Sequence, residues 1–328
     1  MERVDIYIDI LVENPLLAIP IIAAIFAFAL VPAQHRLFAT LLLLVPWLTV
    51  ARLPGLGPIQ AAAKLASVGA YALVAFAAIT HPGPRRDIPA VLWLYIVIAA
   101  ISIVYILGVE EPMLPIVLRV QWLVITVAAV CVVRTLVVHE DLMRVVDGLT
   151  WGCMLALLLP ISGLLLFPAE SFLKGVNRFQ PYGVNSNQLG MLFALATPLI
   201  AYMALTTRRV SIKPALLFTL VITIGMALIT GSRQTMLAIC IVMLPILLTL
   251  TKRPVLTIFG MLIAVLGLSW LFTIAETTAM ERFATLESTR AQIWAAYFSD
   301  VFPSRPLFGL LGTTGEYYEK SIVVGQHP

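Results

Sequence analysis

The run IPAVLWLYIVIAAISIVYILG, residues 88–108, decides the fold class. It carries no charge between Asp87 and Glu110. At 1.5 Å per residue such a run rises about 30 Å as a helix, the thickness of a bilayer's hydrocarbon core. No water is available there, so every backbone amide must be paired inside the segment, and the run is predicted to be a helix.

Nine similar runs lie around it, at 15–33, 37–53, 60–80, 113–138, 142–167, 188–207, 214–230, 235–251 and 254–275. The expected fold is therefore all-α, a polytopic transmembrane helical bundle of ten spans over residues 1–275. Residues 276–328 hold no spanning run and many charges, and read as the start of an extracytoplasmic helical loop. Composition agrees. Of 328 residues, 61% are hydrophobic and 12% charged, with a mean hydropathy of +1.00. A soluble domain has roughly 45–50% apolar and about 25% charged residues. Soluble enzymes, disordered chains, coiled coils and disulfide scaffolds are excluded on that ground.

Cys131, Cys153 and Cys240 each sit in an apolar run and read as small packing residues, with no disulfide or zinc spacing. Glu2, Asp5, Asp9 and Glu13 precede the first run against Arg3 alone, so no cleaved secretory leader is expected. The net charge of +4 fits the basic bias of cytoplasmic loops, and nucleic acid is not an expected partner. That bias also sets the orientation. Arg36, Arg85, Arg86, Arg134, Arg144, Arg208, Arg209, Lys213, Lys252 and Arg253 follow odd-numbered spans, against Arg3, Arg52, Lys64, Lys174, Arg178 and Arg233 on the other side. The larger group is assigned to the cytoplasm. The amino terminus, the 168–187 loop, the 231–234 turn and everything after 276 then face outward. Pro46, Pro160 and Pro198 are expected to kink their spans, and Ala62, Ala66 and Ala70 to form a small-residue packing face.

Candidate chemistry gathers on the outward side. Residues 177–190 (NRFQPYGVNSNQLG) lead straight into a span, and Asn185, Ser186 or Asn187 can cap its helix. With Arg178 beside it, this helix start reads either as an ordinary capped loop or as a phosphate cradle. Thr230-Gly231-Ser232-Arg233-Gln234 joins two apolar runs with almost no loop. Arg233 there is either a snorkelling arginine or one kept for an anion, since its planar fork grips phosphate oxygens in pairs. Arg290 and Trp294 lie four apart on one face of an amphipathic helix, with Pro306, Leu307, Gly309 and Gly312 following. Arg119 lies within the fifth span, and can bind, pair with a carboxylate or snorkel. His327 reads as a loop histidine or a general base.

In this order, on a polytopic chain, these clusters resemble the O-antigen ligase and O-antigen polymerase (Wzy_C-type) membrane family. The resemblance covers roughly residues 170–328. It implies an inverting glycosyltransferase of the bacterial inner membrane, working on the periplasmic face without nucleotide, metal or other cofactor. The donor partner would be a glycan on undecaprenyl diphosphate. The acceptor would be a hydroxyl of a lipid A–core sugar, of a growing polysaccharide or, in related enzymes, of a protein. Arg233 and Arg290 match family arginines that hold the diphosphate, with Arg178 a third, and Asn185, Asn187, Ser232, Trp294 and Arg119 would support them. The family's base is a histidine preceding asparagine. His327 precedes Pro328 instead, so a histidine beyond the chain end is the other candidate, and further spans are expected there. The rival expectation is a secondary transporter or lipid-linked glycan flippase, which predicts paired internal repeats and ionisable groups near the midplane.

Overall fold

The computed structural model describes residues 9–10, 12–106, 113–173, 178–251, 298–299 and 303. Nine complete α-helices follow one another among the described residues: α1 Ala18–Leu30, α2 Ala33–Val50, α3 Pro58–Ile79, α4 Ala90–Ile106, α5 Met113–Thr135, α6 His139–Leu166, α7 Ser186–Thr206, α8 Lys213–Ile229 and α9 Arg233–Thr251. They occupy nine of the ten expected positions, and the tenth, 254–275, lies outside the described residues. Five of them, α2, α3, α5, α6 and α7, contain segments long and apolar enough to cross a membrane, while the other four are shorter apolar helices. Phe26, Leu30, Leu158, Phe218, Val221, Leu237 and Ile241 are exposed on these helices. So much exposed hydrocarbon marks a membrane protein.

The helices pack as a row. α4 lies on α5, α5 on α3, α3 on α2, α2 on α6, α6 on α7, and α7 holds both α8 and α9. The only non-helical pairing among the described residues is a short antiparallel ribbon, β1 Phe172–Leu173 with β2 Arg178–Phe179, in which Phe172 faces Phe179. α7 forms the centre of the larger core. Its Leu189, Phe193, Ala196, Ile200 and Ala204 recur at helical spacing and are buried, against Leu157 of α6, Leu216 and Met226 of α8, and Phe179 of β2.

The tightest helix contact uses two glycines four residues apart. A Cβ on Gly148 would stand 2.9 Å from the carbonyl oxygen of Phe38, and one on Gly152 would stand 2.9 Å from those of Leu41 and Leu42. Small residues at this spacing let α6 and α2 approach backbone to backbone. The expected alanine face takes another role. Ala62 is buried, but Ala66 and Ala70 line an apolar cavity of about 440 Å³ between α1, α2 and α3. Pro46, Pro160 and Pro198 lie inside α2, α6 and α7, and Pro245 lies inside α9.

One end of the row is fastened by an ionic cluster. His81, just past α3, places Nε2 3.1 Å from Oδ1 of Asp141 in the first turn of α6. Arg144 donates from Nη1 to the same carboxylate oxygen at 3.0 Å, and Nη2 stands 3.8 Å from Glu140. His81 and Asp141 are both buried. Gly83 closes the cluster, since a Cβ there would come within 2.8 Å of His81 Nε2. Arg134 at the end of α5 donates to the Arg86 carbonyl at 3.3 Å, and the Arg86 amide returns a bond to the Arg134 carbonyl at 2.9 Å.

Replacing Gly152 with Leu should therefore push α2 off α6. Overpacking of this kind costs about 1–3 kcal/mol, and a lowered midpoint in thermal unfolding of the detergent-purified protein is the expected reading. Asp141→Ala removes the acceptor that both His81 Nε2 and Arg144 Nη1 approach, and should cost about 1–3 kcal/mol. A double-mutant cycle with His81→Ala should show strong non-additivity, because the two side chains touch.

Candidate functional site

At the opposite end of the row, irregular chain gathers around Arg178. The chain leaves α6 at Phe167, forms the β1–β2 ribbon, and turns through Pro181–Gly183 into α7. Tyr182 takes a left-handed φ of 54° in that turn. Three contacts hold it there: its hydroxyl lies 3.0 Å from Ser162 Oγ, its ring meets Phe167 edge-on at 6.0 Å, and Gly163 leaves room for it. Gly55, from the turn after α2, touches Tyr182 from the other side. A non-glycine residue stays in this conformation only where its surroundings over-determine it.

The helix cap falls on Asn185 among the three candidates. Its side-chain oxygen accepts the Asn187 amide at 2.9 Å. That leaves Asn187 to turn its own side chain toward Arg178, whose Nη2 donates to Asn187 Oδ1 at 3.4 Å. Arg178 Nε donates to the Thr230 carbonyl at 3.1 Å. Thr230 follows the end of α8, where carbonyls lack helical partners and the dipole is negative. The guanidinium thus ties the end of α8 to the start of α7.

The α8–α9 connection is as short as the sequence suggests. Gly231 adopts φ +62°, which reverses the chain. The Ser232 amide donates to Thr230 Oγ1 at 3.3 Å, and the Thr235 amide to Ser232 Oγ at 3.4 Å, so Ser232 caps α9. Gly190 of α7 presses on this cap, since a Cβ there would strike Thr235. Two helix amino termini, those of α7 and α9, therefore meet beside one guanidinium. Ser186 opens α7 one turn before Gly190, on the same side of the helix. Its hydroxyl is buried and has no hydrogen-bond partner among the described residues, as is true of Ser171 just before β1. The positive dipole end at each helix start favours an anion.

The sequence-selected residues separate into three groups. Arg178, Asn185, Asn187 and Ser232 come together, and Arg233 opens α9 beside them. Arg119 is half-buried on α5, which packs on α3 and α4 rather than forming the cluster. The Arg233 side chain, Arg290, Trp294 and His327 lie outside the described residues. Thr230, Thr235, Gly190, Ser171 and Tyr182 belong to the site without having been singled out. The available signal for Tyr182 was local, a Pro-Tyr-Gly turn just before a capping asparagine. No protein-family model, curated protein or solved structure matches the chain.

Arg178→Ala should remove a bond between elements 52 residues apart in sequence. Hydrogen bonds from a charged donor contribute about 1.5–3 kcal/mol, so thermal unfolding should fall by that order. Arg178→Lys should recover only part of it, since an ammonium lacks the fork that reaches Thr230 and Asn187 together.

Proposed function

We propose that the chain is a membrane glycosyltransferase of the O-antigen ligase or polymerase type. It would transfer a glycan from undecaprenyl diphosphate to a hydroxyl of a lipid A–core sugar or a growing polysaccharide. The support is the meeting of two helix amino termini at Arg178, which supplies the electrostatics a diphosphate needs. The resemblance of the ordered motifs supplies the chemistry. In this proposal the bundle has ten spans, sits in the bacterial inner membrane, and turns the Arg178 end to the periplasm.

The reaction follows from where charge develops. The bond between the anomeric carbon and the diphosphate oxygen breaks, and negative charge accumulates on the leaving diphosphate. Arg178, Arg233 and Arg290 neutralise that charge, and Asn185, Asn187 and Ser232 hold the helix starts that face it. Such preorganised donors act on the transition state more than on the ground state. His327, or a histidine beyond it, takes the proton from the acceptor hydroxyl as its oxygen bonds to the anomeric carbon from the opposite face. The configuration inverts, and no metal or cofactor takes part. Trp294 anchors the amphipathic helix bearing Arg290 at the membrane surface.

Purified protein reconstituted in lipid vesicles and given an undecaprenyl-diphosphate-linked oligosaccharide should transfer the glycan to an acceptor. Arg178→Ala, Arg233→Ala and Arg290→Ala should each lower the transfer rate by about 10²–10³-fold, and Arg119→Ala far less. Movement of the donor across the vesicle membrane without any transfer would instead establish the flippase alternative.

A further inference from the structure

A second polar feature lies at the Arg178 end of the bundle, on the lipid-facing flank. Between α2 and α7 runs a cleft of about 270 Å³. Leu44, Leu48, Leu149, Leu192 and Leu195 line it, and Arg52 and Gln188, both exposed, stand at its mouth. From Leu44 to Val50, where α2 ends, the helix climbs about 9 Å, so the cleft takes a stretch of one hydrocarbon chain and not a whole lipid. It opens sideways to the bilayer, because two of its lining residues, Met191 and Leu195, are also exposed on the outer face of α7.

The chemistry of the mouth selects the occupant. Thr49 is already satisfied, its hydroxyl donating to the Val45 carbonyl at 2.8 Å. The exposed polar side chains at the mouth are therefore Arg52 and Gln188. Arg52 makes no ion pair and no side-chain hydrogen bond among the described residues, unlike Arg144, which holds Asp141. A guanidinium at the edge of an apolar cleft sits at head-group depth, where the complementary group is a phosphate.

We infer that the cleft is a binding site for an anionic membrane phospholipid. One acyl chain lies between α2 and α7, the phosphate rests on the Arg52 guanidinium, and the Gln188 amide donates to a head-group oxygen. This site is separate from the cradle at Arg178 and does not draw on the transfer reaction. An uncharged glycerol head group is favoured over a choline or ethanolamine one, because an ammonium beside the phosphate would be repelled by Arg52.

Native mass spectrometry of the full chain, released from detergent after titration with dioleoyl phosphatidylglycerol or dioleoyl phosphatidylcholine, tests the assignment. One phosphatidylglycerol should be retained preferentially. Arg52→Ala should weaken it at least about fivefold, the value of one interfacial charge, with phosphatidylcholine unchanged. Leu192→Trp, which fills the cleft, should weaken both lipids. Phosphatidylglycerol carrying a photoactivatable group in its acyl chain should label peptides of α2 and α7. Equal retention of the two lipids, undiminished phosphatidylglycerol binding by Arg52→Ala, or labelling on other helices would overturn the site. Displacement by inorganic phosphate alone would overturn a lipid as the source of the anion. Displacement by a polyprenyl phosphate at far lower concentration than phosphatidylglycerol would overturn the phospholipid in favour of a carrier lipid.

Discussion

A peptide amide in hydrocarbon has no water to bond, and this single condition arranges the molecule. Each apolar run satisfies its amides internally by becoming a helix, so all irregular backbone is driven to the ends of the row. Because consecutive helices run in opposite directions, alternate connections share an end. The turn after α2, the loop between α6 and α7, and the α8–α9 turn are thereby brought to one place. Gly55 meets Tyr182 there, and Arg178 meets Thr230. The location of the candidate site is thus set by solvent exclusion before any side-chain chemistry is considered.

What could be read from the sequence follows the same division. Helix positions were legible to within a few residues, because an uncharged run needs only a length. Their partners were not. A helix that is apolar all round shows no face, and nothing in residues 33–50 says that α2 must lie on α6, a hundred residues later. The useful signal was Gly148 and Gly152, where backbone oxygens approach to 2.9 Å of a would-be Cβ. Ala62, Ala66 and Ala70 have the same spacing, yet two of the three border a cavity. At the site, local chemistry was legible: the Asn185 cap and the Gly231 reversal each use groups within a few residues. The Arg178–Thr230 bond spans 52 positions and leaves no local trace. The buried histidine was hidden for the same reason, since His81 looks like a span-end residue until Asp141 is placed against it.

Arg178 illustrates how one side chain can be structural and still suit an anion. Two of its partners, the Thr230 carbonyl and the Asn187 amide oxygen, are neutral dipoles. They fix the orientation of the guanidinium, which is what a preorganised electrostatic group requires. The strained Tyr182 has a related role. It is clamped by Ser162, Phe167 and Gly163, and so it fixes the loop that carries the arginine into α7.

The two ends of the row differ in how their cations are compensated. At the His81 end, Arg144 meets Asp141 and Glu140, and Asp141 also meets His81. Arg144 and Arg134 fasten helices there, beside the further basic residues Arg36, Arg85, Arg86, Arg208, Arg209 and Lys213. At the other end Arg178 donates to the Thr230 carbonyl and to Asn187 Oδ1, Arg52 stands at a cleft mouth without an ion pair among the described residues, and two helix amino termini add positive potential of their own. Near low-dielectric hydrocarbon, where screening is weak, that potential reaches further than it would in water. The ligand best matched to it carries negative charge on an apolar stem, because only such a molecule is concentrated by the membrane and by the field together.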